Sequence, residues 1–142
     1  MKWDEYFMKM CDLVSSKSKD PSTKVGAVIV SEDNKIRSTG YNGFPRGCKD
    51  DDRYNNRNLK YMLIEHAERN AIYNAEISLK NCKIYVNSLP PCCECAKGII
   101  QAGIKEVIII DKDIPERWKN ECEVAISLLQ ECGVKIRKYN HD

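Results

Sequence analysis

The feature that most constrains the fold is an alternation of short β-branched segments with amphipathic ones. The run KVGAVIV and the segment IRSTGYN flank the turn signal SEDNK, and this pattern predicts a hairpin of two strands. Further along, CKIYVNSL, KEVIIID and VKIRKY have the composition of strands and alternate with helical segments. A hairpin followed by strand, helix, strand, helix and strand predicts a mixed sheet covered by helices, an α/β sandwich.

Four helices are predicted from apolar residues that recur at intervals of three and four. They span Trp3 to about Ser16, Leu59 to about Ala75, the segment after Pro91 that stops at Gly103, and about Pro115 to Glu131. A loop rich in Gly, Pro, Asp and Asn is predicted from Gly43 to about Asn58. The apolar strand KEVIIID is bounded by charges, which predicts burial on both of its faces.

Length and charge limit the classes of protein to consider. At 142 residues the chain fits one domain, and it has no repeat or flexible linker, so a single domain over residues 1–142 is expected. The net charge is +2, which provides no overall field for binding nucleic acid or an anionic membrane. No stretch resembles a membrane span or a secretory signal, so a soluble, cytoplasmic protein is expected. His141 lies in a polar tail and is assigned no role.

The chain has eight cysteines, three of them within the four residues 92–95. Without a secretory signal a reducing compartment is expected, and clustered thiols there indicate metal binding or catalysis more often than disulfides. Four scattered cysteines lie in apolar patterns and are interpreted as small buried side chains: Cys11, Cys82, Cys122 and Cys132. The role of Cys48, in a polar loop, is left open.

Two short motifs occur in a fixed order, HAE at residues 66–68 and PCCEC at residues 91–95. In the zinc nucleobase deaminases, H-x-E and P-C-x-x-C together supply one histidine and two cysteines to zinc, and the glutamate stays off the metal. Cys92 and Cys95, three positions apart on a first helical turn, can direct both sulfurs to one ion. Cys93 lies about 100° around the helix from Cys92, so it is predicted to point elsewhere.

His66 as the third ligand would leave the fourth tetrahedral position for water, which ionises near neutral pH on zinc. Glu68 is two residues beyond His66, a spacing that on a helix puts the two side chains on different faces. Glu68 is therefore predicted to act on water and substrate as the general acid and base. Hydrolytic deamination needs such a group, because the ring nitrogen and then the departing amine must be protonated.

Other interpretations of these motifs stay open at this point. A C-x-x-C pair by itself is a weak signal, and a structural zinc site with four sulfurs could recruit Cys82, Cys93 or Cys122. A redox site of the thioredoxin type also uses C-x-x-C, but it needs no distant H-x-E. His66 could instead be a core histidine with a backbone partner.

The loop GYNGFPRGCKDDDRYNN at residues 40–56 is the second informative region. Its glycines permit a ligand to approach the backbone, Asn42 can donate to and accept from a sugar hydroxyl, and Arg46 offers a fork for phosphate. Lys24 is a weaker phosphate candidate. The alternative is a solvated turn, and the run KDDDR at residues 49–53 is more typical of a solvated surface.

Five segments together resemble the deoxycytidylate (dCMP) deaminase family over nearly the whole chain. They are WDEYFM (3–8), KDPSTKVGAVIV (19–30), GYNGFPRGC (40–48), HAERNAI (66–72) and CAKGIIQAGIKEVI (95–108). The resemblance implies a cytidine deaminase-like three-layer α/β/α sandwich with a five-stranded mixed sheet. It also implies hydrolysis of dCMP to dUMP and ammonia, which supplies dUMP for dTMP synthesis, and a homohexamer as the assembly.

The resemblance also implies roles for individual residues. Matched to the family's motifs, His66, Cys92 and Cys95 are the zinc ligands, Glu68 is the proton shuttle and Asn42 contacts the nucleotide sugar. Members of the family are commonly activated by dCTP and inhibited by dTTP, with magnesium, through the glycine loop and neighbouring acidic residues. This makes three residues candidates for effector binding: Gly43, Asp50 and Asp51.

The sequence departs from the family's pattern in two places. Members often have a longer insert between the glycine loop and H-A-E, whereas here only 24 positions separate Asn42 from His66. Arg46 follows Pro45, and this cation leaves the phosphorylation state of the substrate open. Deamination of dCTP, alone or together with dCMP, is the enzymatic alternative. A nucleotide-binding module with a structural zinc is the alternative without enzymatic activity.

Overall fold

The structure is a computed structural model that describes residues 1–140. The helices are α1 (Trp3–Ser15), α2 (Arg57–Leu63), α3 (Ala67–Asn74), α4 (Cys93–Gln101) and α5 (Glu116–Glu131), with a 3₁₀ turn at Asp52–Asn55. The strands are β1 (Gly26–Val30), β2 (Ile36–Tyr41), β3 (Lys83–Val86), β4 (Glu106–Ile110) and β5 (Lys135–Tyr139). His141 lies outside the described residues. No helix within residues 1–140 is long and apolar enough to cross a membrane.

The five strands form one mixed sheet in the order β2, β1, β3, β4, β5. β1 is antiparallel to both β2 and β3, whereas β3, β4 and β5 run parallel to one another. Parallel neighbours need a crossover connection, and α4 and α5 are the helices of those two crossovers. The prediction of a five-stranded mixed sheet is confirmed.

The core divides between the two faces of the sheet. Val28 and Val30 of β1 pack with Phe7 of α1 in one apolar cluster. Their neighbours Ala27 and Ile29 point the other way, into a larger cluster formed with α3, α4 and α5. Since successive side chains of a strand alternate between faces, this division creates the predicted α/β/α sandwich. Residues 107–109 of β4 are buried, as predicted for a strand covered on both faces.

The prediction of one helix from Leu59 to about Ala75 is wrong. The chain instead forms α2 and α3, separated by extended backbone at Ile64–His66. The interruption has a clear cause, because Glu65 forms a two-way backbone bridge to Gly43, with N to O distances of 2.8 and 3.1 Å. The loop predicted from Gly43 to about Asn58 is present, with the 3₁₀ turn at Asp52–Asn55 inside it, and α2 begins at Arg57.

The free cysteines mostly agree with their predicted burial. Cys11, Cys82 and Cys122 are buried, as interpreted from their apolar surroundings, and Cys48 is exposed. Cys132 is also exposed, so its predicted burial is wrong. Its apolar neighbours in sequence were misleading because it is the C-cap residue, beyond the last full turn of α5.

Helix α3 packs directly on β2 at Gly40. A Cβ atom at this position would lie 2.3 Å from the backbone nitrogen of Ala71 and 2.6 Å from the carbonyl oxygen of Ala67. We expect Gly40→Ala to lower the free energy of unfolding by about 1–3 kcal/mol, because the backbone of α3 must move to accept the methyl group. Urea unfolding measures this loss.

Gly98→Ala in α4 is the matched control for this substitution. Its Cβ would meet the Cδ1 atom of Ile72 at 3.5 Å, an ordinary contact. Alanine also favours a helix more than glycine does by about 1 kcal/mol. Equal stabilities of the two variants would contradict the close packing of α3 on β2.

Candidate functional site

A cluster of three metal-binding side chains forms where α3 and α4 begin. His66 is the N-cap residue of α3, and Cys92 is the N-cap residue of α4. The Nδ1 atom of His66 lies 3.4 Å from the sulfurs of both Cys92 and Cys95. The backbone break at Ile64–His66 gives His66 its extended conformation, so the interruption of the predicted helix helps to form the cluster.

Cys92 and Cys95 were predicted to lie together on the first turn of a helix, but Cys92 instead precedes that turn. Cys92 has extended backbone as the N-cap residue, and Cys95 donates its backbone N–H to the Cys92 sulfur at 3.4 Å. Pro91 therefore precedes the cap and does not occupy the first helical position. The Cys93 thiol points to α5, where it contacts the carbonyl oxygen of Glu121 at 3.8 Å.

The geometry of the cluster fits zinc. Tetrahedral zinc, with Zn–N near 2.0 Å and Zn–S near 2.3 Å, requires nitrogen and sulfur ligands about 3.5 Å apart. The ligand atoms of His66, Cys92 and Cys95 all lie within 4.8 Å of one another. Within residues 1–140 no fourth His, Cys, Asp or Glu side chain belongs to this group. Three protein ligands favour a catalytic site with an open position over a structural site with four.

The charge states of the two thiols are coupled. Hydrogen bonding from the Cys95 thiol, together with His66, lowers the pKa of Cys92 to about 3 despite burial. The same hydrogen bond, with burial, raises the pKa of Cys95. We take Cys92 to be the thiolate of the pair, because its sulfur also accepts the backbone N–H of Cys95. A bound cation favours the thiolate form of both cysteines, so metal binding would release the second proton.

Glu68 lies beside the cluster in the first turn of α3 but does not belong to it. Its side chain is buried, with the residue 6% exposed, and burial raises the pKa of the carboxyl group while His66 opposes the rise. A carboxyl group with a raised pKa is suited to taking up and releasing a proton near neutral pH.

A cleft of about 950 Å³ opens onto this group of residues. His66, Glu68 and Cys92 line it together with side chains from α2 and α5. This volume lies in the range of small-molecule sites.

Asn42 also lines the cleft, but its amide group is largely engaged by the protein. The Oδ1 atom accepts from the backbone nitrogen of Val25 at 2.9 Å. The Nδ2 atom donates to the carbonyl oxygen of Thr23 at 2.9 Å and to Asp20 at 3.5 Å. An amide has two donor hydrogens and two lone pairs, so one lone pair of Oδ1 remains for a ligand.

The other substrate candidates lie elsewhere. Arg46 and Lys24 are exposed and are not among the residues that line the cleft. The Arg46 guanidinium donates instead to the Asn74 side chain.

The effector candidates have partners within the protein. Gly43 pairs with Glu65 through its backbone, Asp50 accepts from the Tyr54 hydroxyl, and Asp51 accepts from the backbone nitrogen of Arg53. Their role in effector binding stays a prediction.

The cleft is also lined by cationic and aromatic residues that were not predicted from the sequence to be functional. They are Arg57, Lys60 and Tyr61 of α2, and Arg117 and Trp118 of α5. The spacing of Arg57 and Tyr61, four positions apart on a helix, was a signal that they contact each other. No local pattern could join residue 57 to residue 117, since only the tertiary structure places both of them along one cleft.

Comparisons with known proteins agree with this geometry. The family model "Cytidine and deoxycytidylate deaminase zinc-binding region" matches residues 1–111. The human protein named deoxycytidylate deaminase is 44% identical over 146 aligned positions, which cover 98% of this chain and 80% of the human one. The dCMP deaminase of cyanophage S-TIM5 in its apo form is 28% identical, with a TM-score of 0.74, over 98% of this chain and 100% of the phage chain. Its complex with dCMP and dUMP aligns with a TM-score of 0.73 at 27% identity, over 98% of this chain and 99% of the phage chain.

Proposed function

Because the chain belongs to the cytidine and deoxycytidylate deaminase family, we propose that it is a zinc-dependent hydrolase that converts dCMP and water to dUMP and ammonia. The observation that carries this proposal is the meeting of His66, Cys92 and Cys95 beside the buried Glu68 in one cleft. The dUMP formed would supply dTMP synthesis.

The residues of the cleft have separate tasks in this reaction. His66, Cys92 and Cys95 would hold zinc, which when bound lowers the pKa of water and so supplies the nucleophile. The carboxyl group of Glu68 holds the transferable proton and donates it to N3 of the cytosine ring. The water that adds to C4 gives a proton back to Glu68, and the same group then protonates the amine that leaves C4, so one carboxyl group makes both transfers. Burial keeps Glu68 protonated more readily than an exposed carboxylate would be.

The finer properties implied by the family are part of the same proposal. We propose activation by dCTP and inhibition by dTTP, with magnesium accompanying the triphosphates, in a homohexamer of single-domain subunits. The glycine loop would bind the effectors, and within it the rings of Phe44 and Tyr54 stack with their centres 3.8 Å apart. Gly43, Asp50 and Asp51 remain the candidate contacts for the effectors.

A panel of substrates tests the activity and its regulation together. We expect the zinc-loaded protein to release ammonia from dCMP faster than from dCTP, CMP, cytidine or deoxycytidine at matched concentration. The rate should depend sigmoidally on dCMP, and dCTP should remove the sigmoidal shape while dTTP lowers the rate. Ammonia release assays measure all of these.

Each outcome of the panel has a distinct meaning. Faster deamination of dCTP than of dCMP would establish the alternative substrate. If none of the five compounds releases ammonia, the deaminase proposal is contradicted. The nucleotide-binding module with a structural zinc is then the remaining alternative. A hyperbolic dependence of the rate on dCMP concentration, unchanged by dCTP and dTTP, would contradict the proposed regulation but not the proposed activity.

A further inference from the structure

A buried ion pair lines the same cleft as Glu68 and has no part in the proton transfers. Asp20 is 2% exposed and Lys60 is 8% exposed, and the Nζ atom of Lys60 lies 3.3 Å from Oδ1 of Asp20. The free energy needed to take two charges out of water offsets most of their attraction, so a buried pair is weak evidence for added stability. The contacts of Asp20 indicate a different role.

The carboxylate of Asp20 joins three segments that are remote along the chain. Its Oδ1 atom accepts from the backbone nitrogens of Ser22 and Thr23, at 2.9 and 3.3 Å, in the connection between α1 and β1. The same atom accepts from Lys60 of α2. Its Oδ2 atom accepts from Nδ2 of Asn42, the residue that follows β2, at 3.5 Å. One carboxylate thus holds together a turn, a helix and the end of a strand.

Asp20 supports the amide group of Asn42 in two ways. It accepts one hydrogen of Nδ2 directly, through the long contact at 3.5 Å. It also anchors the backbone nitrogen of Thr23, and the carbonyl oxygen of Thr23 accepts the other hydrogen of Nδ2 at 2.9 Å. Rotating the amide by 180° would turn its oxygen towards these two acceptor oxygens, which repel it. Asp20 therefore opposes the reversed orientation of the amide.

This orientation decides what Asn42 can offer a ligand. Both donor hydrogens of the amide are used within the protein, and its Oδ1 atom accepts from the backbone nitrogen of Val25 with one of two lone pairs. The remaining lone pair can only accept, so a ligand group that meets it must donate. A 2′-deoxynucleoside 5′-monophosphate has one free sugar hydroxyl, at C3′, and a hydroxyl group is able to donate.

We propose that Asp20 is a positioning residue, which holds the Asn42 amide so that its oxygen accepts a hydrogen bond from the 3′-hydroxyl of the nucleotide. This inference rests on the proposed function, because it takes the substrate to be a deoxynucleotide. Lys60 has a separate task, since it neutralises the carboxylate through Oδ1 whereas Asn42 contacts Oδ2. The sequence alone allowed Asn42 either to donate or to accept, and Asp20 restricts it to accepting.

Binding of two product analogues tests this role without depending on turnover. Calorimetry on the zinc-loaded protein would measure the Kd for dUMP and for 2′,3′-dideoxyuridine 5′-monophosphate, which lacks only the 3′-hydroxyl. We expect the wild-type protein to bind the dideoxy compound about fivefold more weakly, as the loss of one hydrogen bond predicts.

Asp20→Asn should remove this preference. The new side chain keeps its size and an oxygen for the backbone nitrogens of Ser22 and Thr23, but its NH₂ group then faces the NH₂ group of Asn42. Two donors cannot satisfy each other, so the Asn42 amide is displaced. We expect the two Kd values to agree within about twofold, since the hydrogen bond to the 3′-hydroxyl is lost.

Lys60→Met is the matched control, because it removes the other half of the same ion pair and leaves Oδ2 of Asp20 facing Asn42. It should keep the preference for dUMP. The double variant Asp20→Asn with Lys60→Met leaves no unpaired charge buried, so it serves as the test if Asp20→Asn alone does not fold. It should lose the preference, as should Asn42→Ala.

Three results would overturn the positioning role. They are a preference for dUMP that survives in the double variant or in a folded Asp20→Asn variant, a preference that survives in Asn42→Ala, and a preference that is lost in Lys60→Met. A role of Asp20 in stability alone would weaken the binding of both compounds equally, so the ratio of their Kd values would stay as in the wild type.

Failure of the proposed function would look different. If the wild-type protein prefers dUMP and Asp20→Asn loses the preference, but dCMP releases no ammonia, the deaminase proposal fails and the positioning role stands. If the wild-type protein deaminates dCMP but binds dUMP and the dideoxy compound equally, the positioning role fails and the deaminase proposal stands.

Discussion

Replacing Glu68 with glutamine should lower the rate of ammonia release from dCMP by about 10²–10⁴-fold while zinc stays bound. Glutamine keeps the size of the side chain but cannot take up and release a proton, and general acid–base catalysis contributes on this scale. Glu68 lies outside the group formed by His66, Cys92 and Cys95, so its loss leaves the ligand set complete. Turnover and zinc content, measured on the same preparation, check both halves of the prediction.

Glu94→Gln is the control for this substitution. Glu94 also lines the cleft, but it is exposed and pairs with Lys97 at 2.7 Å. We expect this variant to keep nearly wild-type turnover. Near-normal turnover in Glu68→Gln would contradict the proposed proton transfers, and loss of zinc from that variant would mean that Glu68 supports the metal ligands.

Replacing Cys92 with alanine should weaken zinc binding by more than about a hundredfold, whereas Cys93→Ala should retain zinc. The Cys92 sulfur faces His66 Nδ1 at 3.4 Å, and the Cys93 thiol faces the carbonyl oxygen of Glu121 on α5. Loss of a group outside the ligand set typically costs 10–100-fold in metal affinity, so loss of a ligand should cost more. Competition with a coloured chelator measures the zinc affinity of each variant.

The adjacent thiols make this a closely matched pair of substitutions. Each removes one sulfur from neighbouring positions at the start of α4, so a general loss of folding would affect both variants. Zinc loss from Cys93→Ala with retention in Cys92→Ala would show that the ligand assignment is wrong. A thermal melt of each variant without zinc separates loss of metal from loss of the fold.

Sequence reasoning predicted much of the fold because the signals are local. The β-branched composition of β1 and the helical period of α1 are properties of neighbouring residues, and both elements form where they were expected. The resemblance to the dCMP deaminase family is confirmed by the family model and by the human relative. The error in the helices occurs where a distant contact overrides a local preference. The bridge from Glu65 to Gly43 divides a segment whose apolar period predicts a single helix.

By itself, the sequence determined the order of the five strands and named the three side chains that meet as a metal-binding group. The apolar periodicity and the spacing of H-x-E and C-x-x-C are local properties of the sequence, and they do not depend on how the helices pack. Only the tertiary structure decided that Asn42 uses its amide to hold the Val25 and Thr23 backbone. It also decided that Arg57 and Arg117 line the cleft while Arg46 does not. The physical reason is that these arrangements join residues remote along the chain, and they depend on where the folded chain places each helix and on hydrogen bonds that no local pattern contains.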